Sequence, residues 1–154
     1  MNAGKWMHRN GTAIIFAILC LFSIEGFSQQ PEVFSKNGYA INGYDVVEYF
    51  LSAKPVKGDT GIVVVWKDAK WLFANRENAA LFTSNPQRYA PQYGGYCAYG
   101  LSRGYKAPTM EDAWSIVDQK LYFNYNRDVR KTWDKDQQGY IRKADSNWVN
   151  VRVR

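Results

Sequence analysis

The part of the chain that follows the N-terminal apolar segment contains one cysteine, Cys97, and no histidine. An internal disulfide needs two cysteines, and a structural zinc site needs four cysteine or histidine ligands. The chain therefore has to fold around a hydrophobic core without either kind of cross-link. Residues 29–154 amount to 126 residues, which is room for one such core and not comfortably for two. We expect a single domain.

The first 28 residues have the features of a secretory signal peptide. Lys5 and Arg9 precede an apolar run over residues 13–22, which is too short to span a bilayer. Small residues then occupy the third-last and last positions before Gln29. We predict cleavage after Ser28, a periplasmic or secreted location, and no stable membrane span once the signal is removed. A retained membrane anchor is the alternative.

The predicted mature chain is mildly basic, with 18 Lys and Arg against 13 Asp and Glu and a formal net charge of +5. The positive charges are scattered among acids apart from those at the C-terminus, so no nucleic-acid binding is predicted. The predicted parts are a signal peptide over residues 1–28, a loose leader over 29–36, a domain over 37–149 and a basic tail over 150–154.

The spacing of apolar residues predicts an α+β fold, a small single domain with two β-hairpins and flanking short helices. The predicted hairpins pair residues 62–66 with 71–74 and residues 114–117 with 121–125. The predicted helices cover residues 45–51, residues 76–84, a segment with Val129 and Trp133, and a segment from Tyr140 to Trp148.

The surroundings of Cys97 are the most informative stretch for chemistry, since residues 85–100 hold four tyrosines and three glycines. This stretch, together with residues 41–50 and 71–74, resembles the secreted branch of the YHS domain family. The resemblance extends over about residues 37–149. Some members of that branch are similar at this motif but carry selenocysteine where this chain has Cys97.

Soft-metal binding is one function that the resemblance implies. YHS domains occur beside heavy-metal pumps and are often grouped with small metal modules that hold several cysteines. This chain departs from them, because Ala74 stands where the metal-binding type would place a cysteine. What survives is a single-thiol site for a thiophilic ion such as copper. It would use Cys97 with help from Met110 or from a second subunit of a homodimer.

Two other functions stay open for Cys97. Its thiolate would act as the nucleophile of a redox protein, an interpretation that selenocysteine in relatives supports. The mature chain has no second cysteine and no histidine base, so turnover would need an external thiol. Alternatively, Cys97 is a buried apolar residue of a non-catalytic module that binds a small ligand or has a structural role.

Five residues are candidate binding residues: four tyrosines that would line a pocket near the thiol, because they combine an apolar ring with a polar tip, and one aspartate that would act as a site acid. They are Tyr44, Asp45, Tyr93, Tyr96 and Tyr99. Each also has an ordinary structural interpretation, as a core ring or, for Asp45, as a helix cap. The sequence does not decide whether the protein is an enzyme.

Overall fold

The computed structural model describes residues 30–152, so the predicted signal peptide and the last two residues of the predicted tail lie outside the described residues. Short strands and α-helices combine within this range, which confirms the α+β prediction. The strands are β1 (Ser35–Lys36), β2 (Tyr39–Ala40), β3 (Asp59–Trp66), β4 (Ala69–Phe73), β5 (Trp114–Val117) and β6 (Lys120–Phe123). The helices are α1 (Glu48–Leu51), α2 (Arg76–Ser84), α3 (Pro86–Tyr89), α4 (Ala98–Ser102), α5 (Arg127–Trp133) and α6 (Gln137–Val151). None of them is long and apolar enough to cross a membrane.

The strands form three separate antiparallel hairpins within the described range, one more than the sequence predicts. Each hairpin turns through two residues with positive φ, which is the type I′ turn that matches the right-handed twist of the strands. The turn residues are Asn37 and Gly38, Lys67 and Asp68, and Asp118 and Gln119. The unpredicted hairpin, β1–β2, has two residues in each strand, too few to show an alternating pattern.

Strand β6 lies between two hydrophobic cores. Leu121 and Phe123 belong to the first core, which contains the β3–β4 hairpin and α2. Tyr122 belongs to the second, where Trp133 is fully buried and helices α4 and α6 contribute half of the buried side chains. Successive side chains of a strand point to opposite faces. One short strand can therefore contribute to both cores.

The buried carboxylate of Asp45 connects three segments around the first core. Its Oδ1 accepts the backbone N–H of Val47 at 2.9 Å. Its Oδ2 accepts the backbone N–H of Ala74 at 2.8 Å and the side-chain amide of Asn78 at 2.7 Å. The side chain therefore ties the segment before α1, which begins at Glu48, to the end of β4 and to α2.

The segment predicted as a loose leader packs against the domain instead. Val33 is 2% exposed and Phe34 is 8% exposed. The backbone N–H of Phe34 also donates to the carbonyl oxygen of Gly94 at 2.9 Å. Burial of two adjacent apolar side chains offsets the conformational entropy that is lost when the segment is fixed.

Lys106 joins the two ends of the described chain. Its ammonium group donates to the carbonyl oxygens of Gln30 at 2.8 Å, Pro31 at 3.2 Å and Arg152 at 3.3 Å. Arg152 follows the last turn of α6, where carbonyl groups lack intrahelical donors and the helix dipole favours a cation. The helix includes Val151, so the first residues of the predicted basic tail belong to the fold.

Asp45→Ala should lower the free energy of unfolding by about 3 kcal/mol or more, because it leaves the backbone N–H groups of Val47 and Ala74 without an acceptor and removes one of the two acceptors of the Asn78 amide. Urea denaturation measures the loss. Asp59→Ala is the matched control, since Asp59 also accepts a backbone N–H two residues ahead, from Gly61 at 2.7 Å, but on an exposed strand. We expect it to cost less than about 1 kcal/mol. Equal losses for the two variants would contradict the role of the buried carboxylate.

Candidate functional site

The tyrosine- and glycine-rich stretch folds into a tight turn between α3 and α4. Residues Gln92–Gly95 form this turn, and Tyr93 and Gly94 have φ values of 57° and 62° within it. The left-handed conformation is costly for a residue such as Tyr93, so surrounding contacts must hold it. The Tyr93 hydroxyl donates to a carboxylate oxygen of Asp145 at 2.8 Å. This contact fixes the turn against α6.

Gly94 lies where the leader crosses the turn. A Cβ atom at this position would overlap the carbonyl oxygen of Glu32, and the positive φ also favours glycine. The hydrogen bond from Phe34 to Gly94 holds the two segments together at the same place. The leader and the turn therefore form one structural unit.

Cys97 is the cap of α4 and lies inside the domain. Its Sγ accepts the backbone N–H of Gly100 at 3.4 Å, and its thiol donates to Oδ1 of Asn124, with 3.7 Å between sulfur and oxygen. The residue is 2% exposed. The donor and the acceptor capacity of the thiol are thus both used within the fold.

Burial raises the pKa of the Cys97 thiol above its ordinary value. The backbone N–H groups of Gly100, Tyr125 and Tyr99 act in the opposite direction, but burial outweighs them. The thiol is therefore less ionised at neutral pH than an ordinary cysteine. Because the thiolate is the form that attacks electrophiles and binds metals, this environment favours neither reaction.

One fully buried group beside Cys97 has no hydrogen-bond partner among residues 30–152. The Oδ1 atom of Asn124 also accepts the backbone N–H of Tyr99 at 3.2 Å, which fixes the orientation of the amide. The Nδ2 atom of Asn124 is left unpaired. An unsatisfied buried donor costs roughly 1–3 kcal/mol of stability. The Nδ2 group of Asn124 is such a donor, and it belongs to the side chain that accepts the hydrogen bond of the Cys97 thiol.

Met110, the second predicted metal ligand, lies at the surface. The residue is 47% exposed. Its backbone N–H donates to the carbonyl oxygen of Asn124 at 3.2 Å, which places its backbone next to the Cys97 centre. No group of three or more His, Cys, Asp or Glu side chains suited to hold a metal occurs in the described part of the chain. A copper site at Cys97 and Met110 stays a prediction.

The four candidate tyrosines have separate partners, and Asp45 belongs to the buried network around the first core. The partner is the Glu111 carboxylate for Tyr44, Asp145 for Tyr93, the Pro31 carbonyl for Tyr96 and the Tyr140 ring for Tyr99. Of these candidates, Tyr93 lines the cleft described next.

A cleft of about 240 Å³ opens beside the Gln92–Gly95 turn. Its walls are aromatic side chains from three parts of the chain, and the leader closes one side. The rings belong to Trp66, Trp71, Tyr93 and Trp148, and the polar side chains are those of Glu32, Lys67, Gln87 and Gln92. A concave surface with aromatic walls and a few convergent polar groups is the usual composition of a small-ligand site.

A second depression, on the surface of α6, has a larger volume of about 550 Å³. It lacks an aromatic wall, and most of its lining side chains are exposed and polar. The lining residues include Asp136, Arg142, Lys143 and Ser146. Without apolar surface to remove from water, it is a weaker candidate for a small-ligand site than the cleft.

Sequence reasoning did not find most of the cleft. Trp66 and Trp71 belong to a predicted hairpin and Trp148 to a predicted helix, and no local pattern shows that these rings meet. Gln87 and Gln92 lie within the stretch around Cys97 and each follows a proline. Two glutamines that each directly follow a proline are the signal in the sequence that points to this surface.

Cys97 should resist alkylation in the folded protein, because it is buried and its pKa is raised. We expect labelling by iodoacetamide at neutral pH to be on the order of 100-fold slower than in urea. Ser146→Cys in a Cys97→Ser background is an exposed reference thiol that should label at an ordinary rate. Fast labelling of folded Cys97, with an apparent pKa well below about 8.5, would show an activated thiol. Protection by Cu(I) would then favour the metal site.

The same pKa shift predicts a pH dependence of stability. The raised pKa means that the folded state holds the thiol proton more tightly than the unfolded state. The stabilisation is therefore fully present below the unfolded thiol pKa of about 8.5 and is lost as the pH rises through the folded value. Urea denaturation across this range should show a smaller fall in the free energy of unfolding for Cys97→Ser than for the wild type. An identical pH dependence in both proteins would contradict the shift.

No family model, curated protein or solved structure matches this chain. The resemblance to YHS domains therefore stays a prediction that rests on the sequence motifs. The periplasmic or secreted location and the homodimer also stay predictions, as does the expected lack of nucleic-acid binding.

Proposed function

We propose that the protein is a non-catalytic domain that binds a small ligand in the cleft between the β3–β4 hairpin, the Gln92–Gly95 turn and α6. The observation that carries the proposal is that four aromatic residues and two glutamines line one concave surface. This is the third of the functions that the sequence leaves open. It is favoured because Cys97 is buried and its hydrogen-bonding capacity is used inside the fold.

The titratable groups that line the cleft support a binding role over a catalytic one. Glu32 and Lys67 form an ion pair with each other. The Tyr93 hydroxyl donates to Asp145, and burial together with this carboxylate raises the pKa of Tyr93. Among the lining residues, each of these groups already has a partner. A general base or nucleophile would need to face the ligand with its proton-accepting atom not already paired.

The walls of the cleft are held by contacts that would keep it open in one shape. Trp71 is 1% exposed, and its indole N–H donates to the carbonyl oxygen of Trp66 at 3.0 Å. The rings of Tyr93 and Trp148 pack edge to face at 6.0 Å. A preformed site loses little conformational entropy when it binds a ligand.

A second candidate function is thiol chemistry at Cys97, and one observation favours it. The backbone N–H groups of Gly100, Tyr125 and Tyr99 that are directed at the sulfur would stabilise negative charge on a small group attached to the thiol. The raised pKa and the burial of Cys97 weigh against it. The alkylation experiment separates this candidate from the binding proposal.

A panel of small ring compounds, containing neutral, anionic and cationic members, tests the proposal by ¹H–¹⁵N NMR. At least one member should shift the Gly94 amide and the indole N–H signals of Trp66 and Trp148. Trp148→Ala should weaken that binding by about fivefold or more, because it removes one aromatic wall. Cys97→Ser should leave it unchanged, since the thiol does not line the cleft.

Tyr125→Ala is the control for loss of an exposed ring outside the cleft, and we expect it to bind like the wild type. Dispersed spectra of each variant show that it is folded. Ligand shifts centred on Cys97 and Asn124, or the absence of cleft shifts with every panel member, would contradict the proposal.

A further inference from the structure

We infer that the ligand of the cleft is a neutral sugar ring. This inference rests on the proposed binding function and names the chemical class that the lining residues fit. Four features of the cleft lead to it: its charge, its aromatic faces, its free amides and its size.

The cleft has no unpaired charge to offer a ligand. Among its described lining residues, Lys67 carries a positive charge and Glu32 carries a negative one, and they pair with each other. The ammonium of Lys67 also lies 5.0 Å from the centroid of the Trp66 ring. A charged ligand would lose hydration on entry and would have to compete with an existing partner for either residue. A neutral ligand avoids both costs.

The aromatic walls suit a ring that presents C–H groups. Trp66 and Trp148 are partly exposed, while Trp71 and Tyr93 are buried. The Lys67 ammonium lies over the Trp66 ring and the Lys106 ammonium lies 6.0 Å from the centroid of the Trp148 ring, so a sugar would stack on the ring surface that these groups leave uncovered. An indole face carries the negative side of the ring quadrupole. The C–H bonds on one face of a sugar ring are polarised by neighbouring oxygens and are attracted to such a surface.

The two glutamine amides provide the directional contacts. The side chains of Gln87 and Gln92 form no hydrogen bond with another residue in the range 30–152, and both line the cleft. Each amide has an oxygen that accepts and a nitrogen that donates. A sugar hydroxyl also donates and accepts, so neighbouring hydroxyls can use both ends of one amide. A planar aromatic ligand without hydroxyls would leave these groups unpaired.

The volume limits the ligand to a single ring. About 240 Å³ lies below the range of roughly 300–1,000 Å³ that holds drug-sized molecules. The edge of the cleft is formed by exposed side chains such as Gln87, so substituents on the ring can extend into solvent.

The test is an NMR titration of the purified protein with four ring compounds. Methyl glucoside is the neutral sugar, glucuronate and glucosamine are its anionic and cationic counterparts, and indole is a neutral ring without hydroxyls. We expect methyl glucoside to shift the indole N–H signals of Trp66 and Trp148 and the side-chain amide signal of Gln92. The charged sugars should bind at least about fivefold more weakly.

Gln92→Leu keeps the side-chain volume and removes the hydrogen bonds. It should weaken methyl glucoside binding about three- to tenfold, the effect of one or two hydrogen bonds. Gln138→Leu is the matched control, because Gln138 is exposed and lies outside the cleft. Binding of methyl glucoside at the cleft with this pattern of variants supports the inference.

Three results would overturn the sugar assignment, and the first two leave the cleft as a binding site. The first is binding of indole or of a charged sugar at the cleft when methyl glucoside does not bind. The second is binding of methyl glucoside that Gln92→Leu and Gln138→Leu affect equally. Absence of cleft shifts with all four compounds would overturn the sugar assignment, and absence with the wider ring panel as well would contradict the proposed function.

Discussion

The crossing of the leader over Gly94 is the contact on which both candidate sites depend. The Glu32 carbonyl lies so close to the Cα of Gly94 that a side chain would push the two segments apart. On one side of this crossing, Glu32 and Val33 form a wall of the cleft. A few residues further along the chain, the turn leads to Cys97 at the start of α4. Any displacement of the leader at Gly94 would therefore change both the cleft and the position of the first residues of α4.

The two centres differ in how their polar groups are used. At Cys97, the thiol and the side-chain Oδ1 of Asn124 are paired within the fold, and burial raises the pKa of the thiol. In the cleft, the amides of Gln87 and Gln92 are paired with no described residue and can be reached from solvent. Polar groups that are paired inside a domain stabilise it, whereas unpaired groups in a concave surface are available to a ligand. The unpaired Nδ2 of Asn124 is the exception at the buried centre.

The sequence predicted most of the regular structure and little of the site. The β3–β4 and β5–β6 hairpins followed from β-branched and aromatic runs that flank polar turns, and α2 begins and ends where Asn75 and Asn85 provide local signals. The leader packs against the domain where the sequence predicts a loose segment, because Val33 is buried in a core that distant segments of the chain form. The rings of the cleft could not be found from local patterns, since a tryptophan has the same periodicity whether it fills a core or lines a pocket. For Cys97, the sequence left exposure open, and burial is decided by tertiary packing.

The hydrogen bonds of Lys106 to both ends of the described chain determine how the domain can be tethered. Residues 30 and 152 both present a carbonyl group to one ammonium, so the two ends of the described chain lie close together. A tether attached at either of these residues would therefore hold the domain from the same side and in a similar orientation. The same proximity means that a short linker could join these ends, with new termini opened at an exposed hairpin turn such as that of β5–β6. Lys106 thus bridges the two ends of the described chain by hydrogen bonds rather than by a covalent bond.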